Sequence, residues 1–122
     1  MIEVLKALKI ELDNLEIPYC FDNWGKDVIL PYFVGELDEV NTVDEDGKRE
    51  FIFTLTGEDI DSYTRLYQYT EVLKKTYKQS KKISLDSGNM VMIYNRTINI
   101  PVDADRIKRT ETEFTIYLWE KE

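Results

Sequence analysis

The closing stretch of the chain alternates between two kinds of side chain, and this alternation sharply restricts what it can form. Between Thr110 and Trp119, one set of alternate positions is apolar: Phe114, Ile116 and Leu118. The positions between them hold Thr115, Tyr117 and Trp119. Successive side chains of a strand point to opposite faces, so this pattern predicts a long strand with one face in a core. Its second face, with two large aromatic rings, is predicted to face outward.

Two other segments repeat their apolar residues with the period of an α-helix. The first stripe is formed by Leu5, Leu8, Leu12 and Leu15. It predicts a helix of about fifteen residues that ends before Pro18 and keeps its charged residues, Glu11 among them, off the buried face. The second stripe is formed by Tyr63, Leu66, Thr70, Leu73 and Tyr77. We expect Glu58, Asp59 and Asp61 at the start of that helix and Lys74, Lys75 and Lys78 near its end, where the helix dipole favours each charge.

Between the helices the sequence is typical of strands. Residues 19–21 are a short apolar strand, and residues 28–34 are apolar on both faces, with Pro31 at an edge or bulge. Asp46 and Gly47 indicate a hairpin turn before the return strand 51–55. The outgoing arm, residues 36–46, alternates poorly and is predicted to project from the core. Its six acids are Glu36, Asp38, Glu39, Asp44, Glu45 and Asp46.

After the second helix, residues 90–94 predict a strand, residues 97–100 are a candidate to pair back on it, and the alternating segment closes the chain. The predicted order is therefore α-β-β-β-α-β-β-β. With 122 residues, of which 43% are hydrophobic, the chain is expected to be one α+β domain, residues 1–122. Its antiparallel or mixed sheet is predicted to carry both helices on one face.

The residue types exclude most catalytic and metal sites. The chain has no histidine and a single cysteine, Cys20, so it cannot supply a Ser-His-Asp or Cys-His pair, a histidine metal site or a structural zinc site. An EF-hand register that places Gly47 at position 6 puts Thr42 at position 1 and Phe53 at position 12, and neither end fits. No carboxylate is isolated among apolar residues, which disfavours a hydrolase with a carboxylate pair. We predict no catalytic residues, no metal and no cofactor.

The net charge of −8 opposes binding to nucleic acid or to an anionic membrane. No apolar run is long enough to span a bilayer, and the acids of the N-terminal segment are unlike a signal peptide. Two basic groups oppose the overall sign, residues 74–82 and a trio further on. We interpret both as solvated surface first and as docking sites for an acidic partner second. The trio is Arg106, Lys108 and Arg109.

Apolar residues that one layer of helices would leave uncovered give a better indication of function. The outer positions of the last strand, the strand around Pro31 and the turn before it all carry such residues. Uncovered apolar faces mark partner surfaces more often than ligand pockets. The predicted interface residues are Trp24, Tyr32, Phe33, Tyr117 and Trp119.

Several segments, taken in order, resemble the tail-terminator or head-tail joining proteins of long-tailed bacteriophages and prophages. They are PYFVGELDEV from Pro31, the acidic turn with Gly47, FIFTLTGED from Phe51, and the long final segment from MVMIYNRT to TIYLWEKE. The helix between them carries Glu71, Lys74 and Lys75. The similarity covers nearly the whole chain, and its most specific parts are YFVGE, LTG and the closing strand.

This resemblance implies a structural role in virion assembly. Such proteins form a homo-hexameric ring that caps the tail tube and joins it to the head connector, so the implied partners are other copies of the chain, the tube protein and the connector protein. The implied location is the virion tail, assembled in the cytoplasm of the bacterial host. A ring needs two different adhesive faces on each subunit. The acidic arm would line the lumen, where it lets DNA pass without binding, or reach the tube.

The second hypothesis belongs to another class of protein. A small, acidic, histidine-free α+β domain also fits a monomeric binding or inhibitor module whose acidic face mimics nucleic acid. The mass of the protein in solution separates a ring from such a monomer.

Overall fold

The computed structural model describes residues 2–21, 29–40, 47–103 and 106–120. The elements follow the predicted order α-β-β-β-α-β-β-β, which confirms the α+β class. The elements are α1 (Ile2–Asn14), β1 (Tyr19–Phe21), β2 (Tyr32–Val40), β3 (Lys48–Ile60), α2 (Thr64–Tyr77), β4 (Lys81–Leu85), β5 (Gly88–Ile100) and β6 (Ile107–Glu120). No helix of the described ranges is long and apolar enough to cross a membrane.

The strands form one six-stranded sheet in the order β1-β2-β3-β6-β5-β4. Only β1 and β2 run parallel, and every other neighbouring pair is antiparallel, so the sheet is mixed. β3 and β6 form its centre, with Lys48 opposite Trp119 at one end and Ile60 opposite Ile107 at the other. Short strands stand at both edges: β1 covers β2 at residues 33–35, and β4 covers β5 at residues 88–92.

Both helices pack on the same face of the sheet, which we call the inner face. Alternate residues of β3 and β6 are buried there, and the helices contribute Leu8 and Leu12 of the first predicted stripe and Leu66 and Leu73 of the second. Leu5 and Leu15 of the first stripe are only partly buried. The inner-face residues of the two strands are Phe51, Phe53, Leu55, Phe114, Ile116 and Leu118. The alternation predicted for the closing strand is therefore confirmed, and burial of this apolar surface stabilises the fold.

Two glycines of the sheet make room for aromatic rings on the inner face. Gly57 lies opposite Phe33, and a Cβ at Gly57 would stand 2.4 Å from the Phe33 ring. Gly35 lies opposite Leu55, and a Cβ there would stand 2.9 Å from the Phe53 ring. The glycines of YFVGE and LTG are thus packing residues inside β2 and β3.

The start of the second helix differs from the prediction. β3 continues to Ile60, so Glu58, Asp59 and the LTG segment belong to the strand, and α2 begins only at Thr64. There Asp59 pairs with Arg65 of the first turn of α2, and Glu58 pairs with Arg109 of β6. These carboxylates therefore lie on β3 and not in the first turn of α2, where the sequence pattern had placed them.

The C-terminal half of the sheet also differs. Residues 81–85, for which no strand was predicted, are the edge strand β4. Residues 97–100 do not pair back on residues 90–94, because both lie on the single strand β5, with a register shift between Tyr94 and Arg96. The shift takes up Asn95, so Arg96 lies opposite Glu113 on the outer face. Such a bulge bends a strand without ending it.

The predicted arm is partly sheet. Its residues 36–40 belong to β2 and pair with residues 50–54 of β3. Leu37 lies opposite Phe53 and packs against the core. The prediction that this segment projects from the core is wrong, because Leu37 alone supplies the inward contact that the poor alternation concealed. Asp44, Glu45 and Asp46 lie outside the described residues.

Candidate functional site

The face of the sheet opposite the helices, which we call the outer face, is the candidate functional surface. The strand registers place its residues in transverse rows. One central row runs Asp38, Ile52, Thr115 and Ile93, and the next runs Val40, Glu50, Tyr117 and Val91. Side chains directly opposite in antiparallel strands share a face, so acids and aliphatic residues are interleaved here. No described helix covers this face.

Tyr117, Trp119 and Lys48 lie together at one end of the outer face, and we call this group the aromatic corner. The ring centroids of Tyr117 and Trp119 are 6.1 Å apart, and the Lys48 ammonium stands 4.7 Å from the Tyr117 ring. Trp119 keeps 40% of its surface exposed. A large, partly exposed indole beside a cation–π pair is the type of group that anchors protein interfaces.

The predicted interface residues do not form one patch. Tyr32 lies opposite Glu58, ten residue steps along β3 from the Lys48 that lies opposite Trp119. At the rise of a strand this separation is roughly 30 Å. Hydrogen bonding to Cys20 raises the pKa of Tyr32, so this tyrosine already has a partner within the chain.

Phe33 was wrongly predicted as an interface residue. It is fully buried on the inner face, where its ring lies over Gly57 and meets Tyr69 edge to face at 5.7 Å. The prediction failed because Tyr32 and Phe33 belong to opposite faces of β2. Trp24 lies outside the described residues.

Three ion pairs link segments of the chain at the end of the sheet that is distant from the aromatic corner. Asp59 has a side chain 2% exposed and binds both Nε and Nη2 of Arg65, at 2.9 and 2.6 Å. Arg106 forms a similar pair with Asp61 at 2.8 Å, and this hydrogen bond lowers the pKa of the Asp61 carboxyl. Glu58 likewise binds Arg109. The predicted basic trio is therefore mostly paired inside the chain.

A second cluster of charged side chains lies on the inner face, at the same end of the sheet as the aromatic corner. Arg49 binds Glu39 at 2.7 Å, also contacts Glu120, and places its guanidinium 5.2 Å from the Phe51 ring. Hydrogen bonding to Arg49 lowers the pKa of Glu39. Of the arm acids, Glu39 is thus structural, whereas Glu36 and Asp38 remain exposed on the outer face.

A buried carboxylate joins the two helices and β4, where the sequence pattern had placed Glu11 off the buried face of α1. Glu11 is only 8% exposed and accepts hydrogen bonds from the Tyr77 hydroxyl at 2.7 Å and from Lys81 at 2.8 Å. Burial, together with the hydrogen bond to Glu11, raises the pKa of Tyr77 well above its usual range. The sequence contained a signal for the burial of Glu11, because Glu11 follows Leu8 by three residues and precedes Leu15 by four, which is the spacing of one helix face.

Two concave sites lie where the helices meet the C-terminal strands β4 and β5. A cavity of about 340 Å³ lies between α1 and β4, and another of about 410 Å³ lies between α2 and β5. The second is lined by Tyr67, Thr70, Glu71, Lys74, Tyr94, Thr97 and Asn99. Within the described ranges, no group of three or more His, Cys, Asp or Glu residues could hold a metal ion.

Comparisons with known proteins establish the fold alone. No family model and no curated protein matches the chain. One solved structure, whose name describes no function, superposes with a TM-score of 0.74 at 11% sequence identity, covering 98% of this chain and 95% of that one. The match shows that the whole domain adopts an architecture already known from experiment.

Proposed function

We propose that the protein is a structural component of a phage tail, a tail-terminator-like subunit that assembles into a ring, caps the tail tube and joins it to the head connector. The observation that carries the proposal is the outer face of the sheet, which no described helix covers and which ends in an exposed tryptophan. A subunit of a ring needs adhesive surface beyond its own core, and the exposed tryptophan at the end of this face offers part of it.

The charges of the outer face suit the same role. Glu36, Asp38, Glu50, Glu111 and Glu113 all project on this side, according to the strand registers. In a ring whose lumen is lined by this face, these acids repel the phosphates of DNA and let the duplex pass. We assign the aromatic corner to one rim of the lumen, where Trp119 contacts the tube or the neighbouring subunit.

The test is assembly of the full chain, alone and with a tail-tube protein of a long-tailed phage. Native mass spectrometry should detect a hexamer in at least one of these conditions. We expect Trp119→Ala to reduce ring formation or tube capping, while thermal melting shows a folded subunit. The matched control is Thr54→Ala, on the same face and away from the corner, which should assemble normally. A wild-type chain that stays monomeric with tubes present, or a Trp119→Ala chain that assembles normally, contradicts the proposal.

The regular acids of the outer face also favour the second candidate, a monomeric module that mimics nucleic acid. It predicts a monomer that binds a basic, nucleic-acid-binding protein with strong salt dependence. The same mass measurement distinguishes it from the ring.

A further inference from the structure

Each edge of the sheet is a strand that is covered over its first part and open over its last. β1 covers β2 at residues 33–35 and leaves residues 36–40 open, while β4 covers β5 at residues 88–92. Beyond the register shift, residues 96–100 of β5 are open as well. Among the described residues, no strand pairs with either open segment on its outward side. Unpaired edges of this kind are templates for addition of another strand.

We propose that residues 36–40 of one copy pair antiparallel with residues 96–100 of the next copy. This inference rests on the proposed ring, because it names the two different surfaces that join neighbouring subunits. The uncovered part of β5 runs over residues 93–100, and its portion beyond the register shift, residues 96–100, matches residues 36–40 in length. β2 and β5 run in opposite directions within one sheet. A rotation that repeats the subunit around a ring therefore brings them together as antiparallel neighbours.

The covering strands do not obstruct this pairing. Each covering strand lies beside the N-terminal part of its own edge strand. When the two open segments pair antiparallel, β1 of the first copy therefore lies past the Ile100 end of the neighbour's segment, and β4 of the neighbour lies past the Val40 end of the first copy's segment. The register that achieves this places Glu36 opposite Ile100, Asp38 opposite Ile98 and Val40 opposite Arg96. All of these residues lie on the outer face of their own sheet. The sheet therefore continues across the junction with its helices on the same side.

Charge and surface complementarity favour a second copy as the occupant. Asp38 is exposed and would stand diagonal to Arg96, whose side chain is 64% exposed and lies at the long distance of 4.0 Å from its own Glu113. Diagonal neighbours across a strand pair are within reach of an arginine. Ile98, which keeps 38% of its surface exposed, would be covered by the new strand.

The inner side of the junction fits as well. Leu37 of the added strand would face the cavity between α2 and β5, whose lining includes Tyr94 and Thr97. An apolar side chain thus meets an aromatic ring, while Glu39 keeps its ion pair with Arg49. The net charge of −8 makes such local complementarity necessary, since two copies otherwise repel each other.

Disulfide trapping tests the register directly. Full-length Asp38→Cys and Ile98→Cys chains, each also carrying Cys20→Ser, are mixed and oxidised. Directly opposite residues of antiparallel strands have the Cβ separation that a disulfide needs. We expect a linked heterodimer in several-fold excess over a mixture of Asp38→Cys with Ser84→Cys, a control on the exposed strand β4. A second pair, Glu36→Cys with Ile100→Cys, keeps the test decisive if one variant of the first pair misfolds. Circular dichroism shows whether each variant is folded.

The outcomes separate this inference from the proposed function. Linkage at both pairs in a chain that never forms a ring supports the edge pairing and contradicts the ring. A ring detected by mass whose cysteine pairs link no better than the control overturns the edge pairing and leaves the ring in place. A monomer without specific linkage overturns both.

Discussion

The two faces of the central strands β3 and β6 share one backbone and differ in almost everything else. On the inner face, Phe53 and Phe114 stack with ring centroids 5.9 Å apart beneath two helices. On the outer face, alternating positions of the same strands carry threonines, acids and single aliphatic residues, with Tyr117 and Trp119 at one end. The difference teaches that the fold depends on one face, and that the other is available for contacts beyond the subunit. The predictions below test that division.

The largest effect should come from the same truncation made on each face. Ile116→Ala removes a fully buried side chain and leaves a cavity, so we expect a loss of roughly 2–4 kcal/mol in the free energy of unfolding. Ile52→Ala is the matched control, since Ile52 lies on the outer face and is only partly buried. It should cost about 1 kcal/mol or less. Urea denaturation measures both, and equal losses would show that the outer face is also core.

A smaller effect is expected from adding one methyl group to the inner face. Gly57→Ala places a Cβ against the Phe33 ring, which is itself fully buried and cannot move into solvent. Overpacking of this kind typically costs about 1–3 kcal/mol. The neighbouring outer-face change Thr56→Ala should alter stability by less than about 0.5 kcal/mol. A Gly57→Ala chain with wild-type melting temperature would mean that Phe33 has another place to pack.

The third comparison concerns charge on the two sides of α1. Glu11→Ala removes the buried acceptor of Tyr77 and Lys81, and we expect a loss of roughly 1–2 kcal/mol because the Tyr77 hydroxyl is left buried without that partner. Asp13→Ala breaks only the exposed pair with Lys9 and should cost roughly 0.5 kcal/mol or less. Thermal melting of the two variants measures both losses of stability. If Asp13→Ala is the more damaging change, the buried network does not stabilise the fold.

Much of this division could be predicted from the sequence, because periodicity is a local property. Leu8 and Leu12 of α1, the stripe of α2 and the alternation of β6 each identify a buried face without knowledge of the partner element. The fold class and the placement of both helices on one face followed from them, whereas the number of strands after α2 agreed only because the unpredicted β4 offset the prediction of β5 as two strands.

What the sequence did not reveal depends on residues that are distant along the chain. β4 has only five residues, and its apolar alternation is limited to Ile83 and Leu85, which is too short a pattern to identify a strand without its pairing with β5. Glu58 looked like an acid of a helix start until Arg109, 51 residues further along the chain, was placed beside it. In the candidate site, the distance between Tyr32 and Trp119 required the registers of β3 with both β2 and β6.

The pairing of β3 with β6 has a consequence for how fast the domain can fold. The ladders β2–β3, β4–β5 and β5–β6 each join strands that follow one another along the chain. The central ladder instead joins Lys48 to Trp119 and Ile60 to Ile107, across all of α2, β4 and β5. The entropy of closing that long loop is lost before the inner face can form. The search for this one contact therefore sets the refolding time, as in other domains of high contact order.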